Sequence, residues 1–220
     1  MKVTAIIASG GSGFRMGSAL PKQFITVKDI PILAYSLITF NKCAVINEII
    51  LTTPPGYEAM TTEITELFGS DKISMIITGG KTRQQTVYKA LQAAGETDII
   101  VIHDAVRPFV TMDEIMRVIK TAQSTGACSL GVPVKDTIKI CDANAISVAT
   151  PARSTLWMIQ TPQAFSSAII KEAHKCAYRD GVIATDDSEL ADRIGYPTRI
   201  IMGDYTNIKI TTKDDLSFFR

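Results

Sequence analysis

The sequence lacks the features of secreted, membrane-spanning and zinc-binding proteins. Its 220 residues include four cysteines and two histidines, and the cysteines are irregularly spaced without a C-x-x-C pair, so neither a disulfide framework nor a zinc site is indicated. No apolar stretch reaches the roughly 18 residues needed to cross a bilayer. The amino terminus also lacks the basic, apolar and small-residue order of a signal peptide. We therefore expect a cytoplasmic protein, with no membrane partner, whose cysteines are reduced packing residues.

An excess of charge of one sign is absent as well. The 23 basic residues nearly balance the 22 acidic ones. Because no global electrostatic field attracts nucleic acid or an anionic membrane, we predict neither as a partner, and any anion-binding site must be local. The chain also lacks linkers, repeats and low-complexity segments. Its length suits one large α/β domain that covers residues 1–220.

The feature around which the chain is organised is its first turn. An apolar run, residues 3–8, ends in Ser9-Gly10-Gly11-Ser12-Gly13, and Arg15 and Lys22 follow closely. In an open α/β sheet, ligands bind at the carboxyl ends of such strands, where glycines allow backbone N–H groups to approach phosphate or base oxygens. Neither the P-loop nor the dinucleotide G-x-G-x-x-G pattern fits. Taken alone, the turn is equally compatible with a tight structural connection.

Strands and helices alternate along most of the chain, which predicts a mostly parallel sheet flanked by helices. The apolar patterns predict further strands over residues 46–52, 73–78, 98–103, 127–133 and 198–202. They predict helices over residues 32–40, 57–68, 83–94, 112–125, 166–180 and 186–194, with Thr82 as an N-cap and a terminal helix from about residue 213.

Residues 136–158 break this alternation. Two short alternating runs flank Asp142-Ala143-Asn144, which is typical of a β-hairpin. An isolated two-stranded hairpin is marginally stable and needs a surface to pack against. We therefore predict a protruding hairpin arm within the domain.

Two other positions are candidates for ligand binding. Asp104 follows the most apolar strand, and a carboxylate at the carboxyl end of a central strand is well placed to hold Mg²⁺ or a sugar hydroxyl. Gly79-Gly80 precedes a helix and offers free N–H groups to an acceptor, although an ordinary capped turn would be favoured if this segment stood alone. His103 is more typical of a hydrogen-bonded wall residue, and we leave it out of the site.

Six motifs together resemble those of the 2-C-methyl-D-erythritol 4-phosphate cytidylyltransferases of the non-mevalonate isoprenoid pathway. They are the opening glycine turn with Pro21-Lys22-Gln23, then His103-Asp104-Ala105-Val106-Arg107-Pro108, Val132-Pro133-Val134-Lys135-Asp136-Thr137, Gln160-Thr161-Pro162-Gln163-Ala164-Phe165, Thr185-Asp186-Asp187 and Asn207-Ile208-Lys209-Ile210-Thr211-Thr212. The resemblance runs from about residue 3 to about residue 216, with the motifs in order.

The resemblance implies a Rossmann-like fold of the nucleotide-diphospho-sugar transferase type and a homodimer clasped through the arm at about residues 136–158. It implies an enzyme that transfers CMP from CTP to methylerythritol phosphate, with Mg²⁺ as cofactor, forming 4-diphosphocytidyl-2-C-methyl-D-erythritol and pyrophosphate. Such chemistry needs no covalent enzyme nucleophile, only in-line positioning and cations that stabilise developing charge.

The resemblance also assigns residues to roles. The catalytic positions are Arg15, Lys22 and Lys209. The CTP-binding positions are Ser9, Gly10, Gly11, Gly13, Gly80, Lys81, Thr86 and Asp104. The sugar-phosphate positions are Asp104, Arg107, Thr137, Thr161, Lys209 and, reaching across the dimer, Arg153. The metal position is Asp104.

Other functions remain open at this stage. Val106 and Thr86 are also reminiscent of ribitol 5-phosphate cytidylyltransferases, and Ser9-Gly10 stands where the methylerythritol family usually has two alanines. A nucleotide-binding module without turnover is a further alternative, although it has little need of Arg15, Lys22 and Lys209 together. A nicotinamide-dependent oxidoreductase lacks support because no acidic residue follows a second strand about 20 residues after the glycine turn.

Overall fold

The structure is a computed structural model that describes residues 1–11, 20–68 and 71–219. Its strands are β1 (Val3–Ala8), β2 (Thr26–Val27), β3 (Ile30–Pro31), β4 (Glu48–Thr53), β5 (Ile73–Thr78), β6 (Ile99–Asp104), β7 (Ala127–Pro133), β8 (Ile140–Cys141), β9 (Ser147–Ala149), β10 (Trp157–Ser166) and β11 (Arg199–Met202). Its α-helices are α1 (Ile32–Lys42), α2 (Glu58–Phe68), α3 (Arg83–Ala93), α4 (Met112–Thr125), α5 (Ser167–Arg179) and α6 (Asp187–Arg193). Short 3-10 helices span Lys22–Phe24, Arg153–Thr155 and Asp214–Phe218, the last of these in place of the predicted terminal helix.

The main sheet has seven strands in the order β11-β7-β10-β6-β1-β4-β5. Strand β1 pairs in parallel with β4 and β6, and the β4–β5 and β11–β7 pairs are also parallel. Strand β10 runs antiparallel to both of its neighbours, β6 and β7. The predicted mostly parallel α/β sheet is therefore confirmed, with one antiparallel strand in its interior.

Strand β10 was not predicted, and the hairpin arm is shorter than expected. Trp157 and Met158, which we assigned to the arm, pair with β7 in the main sheet. Strand β10 contains Pro162, which is unusual in a central strand because proline cannot donate to a ladder. The structure accommodates it where the register between β10 and β7 shifts, between Ile159 and Gln163, and the Thr161–Pro162 peptide bond is cis.

Helices cover both faces of the sheet. Alternate residues of β1 belong to different apolar clusters: Ala5 and Ile7 pack with residues of α1 and α4, whereas Ile6 packs with residues of α3 and α5. Because successive strand side chains point to opposite faces, a strand covered on both sides has apolar residues at every position. This explains why β1 shows no polar alternation.

Side chains cap the starts of two helices, and the predicted cap of α3 is confirmed. Thr82 caps α3, since its hydroxyl accepts from the backbone N–H of Gln85 at 3.1 Å. Thr111 and Glu114 form a reciprocal capping box at the start of α4. The carboxyl ends of the central strands β1 and β6 and the start of α3 lie on the same side of the sheet as the glycine turns and Asp104.

The predicted hairpin is present. Strands β8 and β9 form a separate antiparallel pair, and the Asp142 carboxylate accepts from the N–H groups of Asn144 and Ile146, both at 2.9 Å. Residues 135–150 are exposed throughout. The role of this hairpin as a dimerisation arm stays a prediction.

Two smaller expectations can also be compared with the structure. Cys43 and Cys128 are buried, as packing residues should be, but Cys141 is exposed on the hairpin, so the packing role is wrong for that residue. None of the helices in the described part of the chain has the length and apolar character needed to cross a membrane.

Candidate active site

A polar cleft opens at the carboxyl end of β6, next to the irregular part of β10. Four of the predicted sugar-phosphate residues line it together: Asp104, Arg107, Thr161 and Lys209. Arg83 and Gln163 line the same cleft, and sequence analysis had assigned neither of them a role. The structure therefore brings together residues that are more than 100 positions apart in the chain, as the Lys209–Asp104 contact illustrates.

Asp104 lies at the centre of this cleft and is paired with two cations. It is the last residue of β6 and is 6% exposed. Its Oδ1 accepts from Nε of Arg83 at 2.7 Å, and its Oδ2 accepts from Nζ of Lys209 at 2.6 Å. Burial by itself would raise the pKa of Asp104, but the charges of Arg83 and Lys209 outweigh it and hold the pKa well below its ordinary value. The carboxylate is therefore ionised at neutral pH.

Arg83 connects this pair to a second buried carboxylate. Its Nη1 forms an ion pair with Oδ2 of Asp187 at 2.8 Å, and Oδ1 of Asp187 lies 3.0 Å from Nε2 of His174. Arg83 is the first residue of α3, and Asp187 is the first residue of α6. Sequence analysis could have noticed an arginine directly after the cap of a helix that opens at a glycine turn. It could not have identified the carboxylate partners, because the sheet order determines which helices meet.

Arg107 is anchored by backbone carbonyl groups. Its Nη1 donates to the carbonyl oxygen of Asn207 at 2.7 Å, and its Nη2 donates to that of Ile159 at 3.4 Å. Burial lowers the pKa of Arg107, and the Asp104 charge counteracts that effect. Its Nε is buried and has no hydrogen-bond partner among the described residues. The guanidinium thus adds a third cationic group to the cleft at a fixed position.

His103 is buried beneath the cleft, as the prediction of a wall residue requires. Its Nε2 lies 3.2 Å from the carbonyl oxygen of Arg107, which can only accept, so Nε2 carries the hydrogen. Its Nδ1 then accepts from the hydroxyl of Thr161 at 3.1 Å, and that hydroxyl accepts from the N–H of Asp104 at 3.0 Å. The hydrogen of the Thr161 hydroxyl is therefore donated to His103. While that hydrogen bond persists, the hydroxyl can only accept a hydrogen bond from a ligand.

The two glycine turns pack directly against each other. A Cβ atom on Gly10 would lie 2.7 Å from Oγ1 of Thr86 and 3.2 Å from Cα of Gly79, so only glycine fits there. The Thr86 hydroxyl accepts from the N–H of Gly80 at 2.9 Å and donates to the carbonyl oxygen of Thr82 at 2.9 Å. Three predicted CTP-binding residues, Gly10, Gly80 and Thr86, are thus brought together. The Thr86 hydroxyl keeps one lone pair with which it can accept from a ligand.

Gln23 holds the first turn, and Lys22 joins it to the last motif. The Gln23 side chain is 2% exposed, and its Nε2 donates to the carbonyl oxygens of Ser9 at 2.7 Å and Gly11 at 2.9 Å. Nζ of Lys22 donates to the carbonyl oxygen of Ile210 at 2.7 Å, next in sequence to Lys209. The two predicted catalytic lysines are therefore linked, because Lys209 precedes Ile210, the residue to which Lys22 donates. Sequence analysis gave Gln23 no role, although its place between Lys22 and a buried phenylalanine was a usable signal.

Three other predicted residues, Lys81, Thr137 and Arg153, do not line this cleft. Lys81 is exposed, and its N–H donates to Oε1 of Gln85 at 3.0 Å. Thr137 and Arg153 are exposed next to the hairpin, and Nη1 of Arg153 donates to the carbonyl oxygen of Lys135 at 2.9 Å. The predicted CTP-binding residue Gly13 and the predicted catalytic residue Arg15 lie outside the described residues.

The described residues do not form a magnesium site by themselves. Within residues 1–11, 20–68 and 71–219, no group of three or more His, Cys, Asp or Glu side chains could hold a metal ion. Both oxygens of Asp104, the predicted metal ligand, already pair with a cation. A doubly charged ion would be repelled by Arg83 and Lys209 at the same carboxylate.

The sequence matches a known protein family over nearly its whole length. The family model is that of 2-C-methyl-D-erythritol 4-phosphate cytidylyltransferase, and it matches residues 3–219. The protein of that name from Desulforamulus reducens is 41% identical over 218 residues, which cover 97% of this chain and 92% of the relative. The one from Geobacter metallireducens is 41% identical over 221 residues, which cover 98% of this chain and 95% of the relative.

The fold is also similar to those of solved structures. The 4-diphosphocytidyl-2C-methyl-D-erythritol synthase of Anaerococcus prevotii superposes with a TM-score of 0.87 at 30% identity, covering 99% of this chain and 93% of that one. The 2-C-methyl-D-erythritol 4-phosphate cytidylyltransferase of Thermus thermophilus superposes with a TM-score of 0.80 at 32% identity, covering 99% and 96%. The chain therefore belongs to the 2-C-methyl-D-erythritol 4-phosphate cytidylyltransferase family, and it is a nucleotidyltransferase.

Proposed function

We propose that this enzyme transfers CMP from CTP to 2-C-methyl-D-erythritol 4-phosphate, releasing pyrophosphate and forming 4-diphosphocytidyl-2-C-methyl-D-erythritol. The observation that carries the proposal is the position of the cationic cleft. Asp104, Arg107 and Lys209 converge at the carboxyl end of β6, and the paired glycine turns lie beside the neighbouring strand β1. A nucleotide held by the turns would place its phosphates towards the cations of the cleft.

The reaction is an in-line displacement at phosphorus. An oxygen of the sugar phosphate attacks the α-phosphorus of CTP and forms a new P–O bond, while the bond from that phosphorus to the oxygen shared with the β-phosphate breaks. Pyrophosphate leaves with the bonding electron pair. Because both reactants are polyanions, the enzyme must hold them together and stabilise the charge that builds on the α-phosphate and the leaving group.

The lysines supply that stabilisation in the proposed mechanism. Lys209 lines the cleft, and Nζ of Lys22 is held by the carbonyl oxygen of Ile210, the next residue along the same segment. Arg15 is proposed to act with them on the triphosphate. Arg107 and Asp104 are proposed to bind the phosphate and hydroxyl groups of the sugar phosphate. The Thr161 hydroxyl is proposed to accept a hydrogen bond from a hydroxyl group of the same substrate. No side chain is required to form a covalent intermediate.

We propose Mg²⁺ as a cofactor that arrives with its nucleotide. Mg²⁺ usually keeps several waters and binds through substrate phosphates and one or two carboxylates rather than in an all-protein cage. That preference agrees with the lack of a ready-made ligand group among the described residues. Asp104, the predicted metal ligand, has both oxygens paired with cations and would have to release one of them to ligate such an ion.

We also propose a homodimer held by the hairpin, in which the 3-10 helix that follows the hairpin supplies Arg153 to the partner's acceptor site. Three apolar side chains of the hairpin are more than half exposed: Ile140 at 53%, Ile146 at 62% and Val148 at 63%. Contiguous exposed apolar residues are typical of protein interfaces. Thr137 and Arg153 lie next to this hairpin rather than in the cleft of their own chain, as a contribution to a second subunit requires.

The proposed function is tested by pyrophosphate release from CTP with methylerythritol phosphate and with ribitol 5-phosphate in parallel, each with Mg²⁺ and with a chelator. We expect release with methylerythritol phosphate only, and none with the chelator. Release with ribitol phosphate alone would overturn the acceptor but not the chemistry. Binding of CTP without release in either reaction would point to a nucleotide-binding module.

A further inference from the structure

We propose that Arg83 is a positioning residue for the acceptor subsite. By joining Asp104 to Asp187, it fixes the Asp104 carboxylate so that Lys209 stays directed into the cleft. This inference rests on the proposed function, because it specifies how the acceptor end of that site is held in place.

The geometry gives Arg83 two different carboxylate partners. Its Nε donates to Oδ1 of Asp104 at 2.7 Å, and its Nη1 forms an ion pair with Oδ2 of Asp187 at 2.8 Å. A guanidinium presents its N–H groups in a rigid planar fork, so fixing two of them fixes the plane of the group. The orientation of Asp104 is therefore determined by a side chain that is itself held at a second point, on α6.

The charges along this network alternate in sign. Lys209, Asp104, Arg83 and Asp187 follow one another at contact distances of 2.6, 2.7 and 2.8 Å. Asp187 is 1% exposed and has His174 as its other partner. Without Arg83, Asp104 would lose one of its two cationic partners and its carboxylate would be free to rotate about the Lys209 contact. The buried carboxylate of Asp187 would lose its nearest positive charge.

Arg83 acts through Asp104 rather than on a ligand. Two of its nitrogens are used by the two carboxylates. Its Nη2 is buried, although the side chain as a whole is 27% exposed where it lines the cleft. Its two carboxylate contacts distinguish Arg83 from Arg107, which is held by backbone carbonyl groups and which we propose to contact substrates directly.

The test compares three variants with the wild-type enzyme: Arg83→Gln, Arg83→Lys and Asp187→Asn. The KM for the sugar phosphate, the KM for CTP, kcat and the thermal unfolding midpoint are measured for each. We expect R83Q to raise the KM for the sugar phosphate by roughly tenfold, as loss of a charged hydrogen bond implies, with the KM for CTP within about twofold of wild type. R83K should recover part of the effect, because an ammonium keeps the charge but not the fork. D187N should raise the same KM less, because the bond to Asp104 remains.

A matched control is available on the surface. Nε of Arg117 donates to Asp113 at 2.7 Å and its Nη1 donates to the carbonyl oxygen of Met202 at 2.7 Å, so it makes two comparable contacts away from the cleft. Arg117→Gln should leave both KM values unchanged. A second readout uses Asp104→Asn: in that background, R83Q should add nothing further to the KM for the sugar phosphate.

Several outcomes would overturn the inference. An unchanged KM for the sugar phosphate in folded R83Q, or a fall in kcat with both KM values unchanged, would show a structural role that only reduces the active fraction. If R83Q fails to fold, wild-type KM values in both R83K and D187N would contradict positioning. Absence of turnover by the wild-type enzyme would instead contradict the proposed function, so the two failures are distinguishable.

Discussion

Lys22 tests the proposed chemistry at the scale of a single residue. We expect Lys22→Ala to lower kcat by roughly 100-fold or more, the usual effect of losing a contact made in the transition state, and Arg15→Ala to do the same. Steady-state pyrophosphate release measures the effect. Lys72→Ala is a matched control, since Nζ of Lys72 also donates to a backbone carbonyl, that of Cys43, at 2.7 Å. A K22A enzyme with wild-type kcat would contradict the assignment.

His103 should make folding stability depend on pH. Burial lowers the pKa of His103 to about 3, whereas the pKa of a histidine in the unfolded chain is about 6.5. Between these values the unfolded chain binds a proton that the folded chain excludes, so the free energy of unfolding falls as pH decreases. The slope for one such proton reaches about 1.4 kcal/mol per pH unit.

Urea denaturation at several pH values between 7 and 5 measures this dependence. The variant His103→Gln keeps a donor for the Arg107 carbonyl but has no titrating group, so its stability should change less over this range. Equal slopes for the variant and the wild type would show that other groups cause the pH dependence.

The residues of the cleft were predictable to different degrees. Asp104 was identified because a charge after a fully apolar strand has few structural explanations, and the structure places it at the centre of the cleft. Arg107, Thr161 and Lys209 came from their motifs. Arg83 was missed because its two carboxylates lie 21 and 104 positions away, and no local spacing reveals a contact between the first residues of α3 and α6.

At the scale of elements, local pattern predicted most strands and helices but not β10. Residues of β1, β5, α4 and β7 were predicted with the bounds that the structure shows, because continuous apolar runs and clear caps mark them. Strand β10 contains Pro162 and follows a hairpin, so its local signals pointed elsewhere. Pairing on both sides with β6 and β7 outweighs those signals, and such pairing is invisible in a local window.

The contact between the two glycine turns is testable as a unit. A methyl group added by Gly10→Ala would lie 2.7 and 2.8 Å from side-chain atoms of Thr86, so one turn must shift. We expect kcat/KM for CTP to fall by roughly 10- to 100-fold, the scale of a small misplacement of reacting groups. Gly95→Ala is the control, because its Cβ would meet nothing within 4 Å. An unchanged kcat/KM in G10A would mean that the turns do not hold the nucleotide.

At the scale of the whole molecule, the hairpin determines whether the proposed dimer forms. We expect the double variant Ile146→Asp/Val148→Asp to sediment as a monomer, since it places charge on the exposed apolar face of the hairpin. Because Arg153 could then no longer reach a partner, the KM for the sugar phosphate should rise, as it should in Arg153→Ala. Sedimentation velocity and steady-state kinetics measure the two effects.

A control distinguishes this effect from a general response to surface charge. Leu67 is 71% exposed at the end of α2, and Leu67→Asp should leave both assembly and kinetics unchanged. A wild-type protein that already sediments as a monomer, or a dimer that survives the double variant, would contradict the proposed role of the hairpin.

The position of β10 has a consequence for how the chain folds during synthesis. Strands β6, β1, β4 and β5 are adjacent in the sheet and are all complete by residue 104, so a growing chain can pair them early. Strand β7 emerges next but has no place beside β6, because that edge belongs to β10. Until residues 157–166 have been synthesised, β7 therefore cannot join the sheet. Its apolar side chains and unpaired backbone groups stay exposed during this time, which makes the growing chain prone to aggregation.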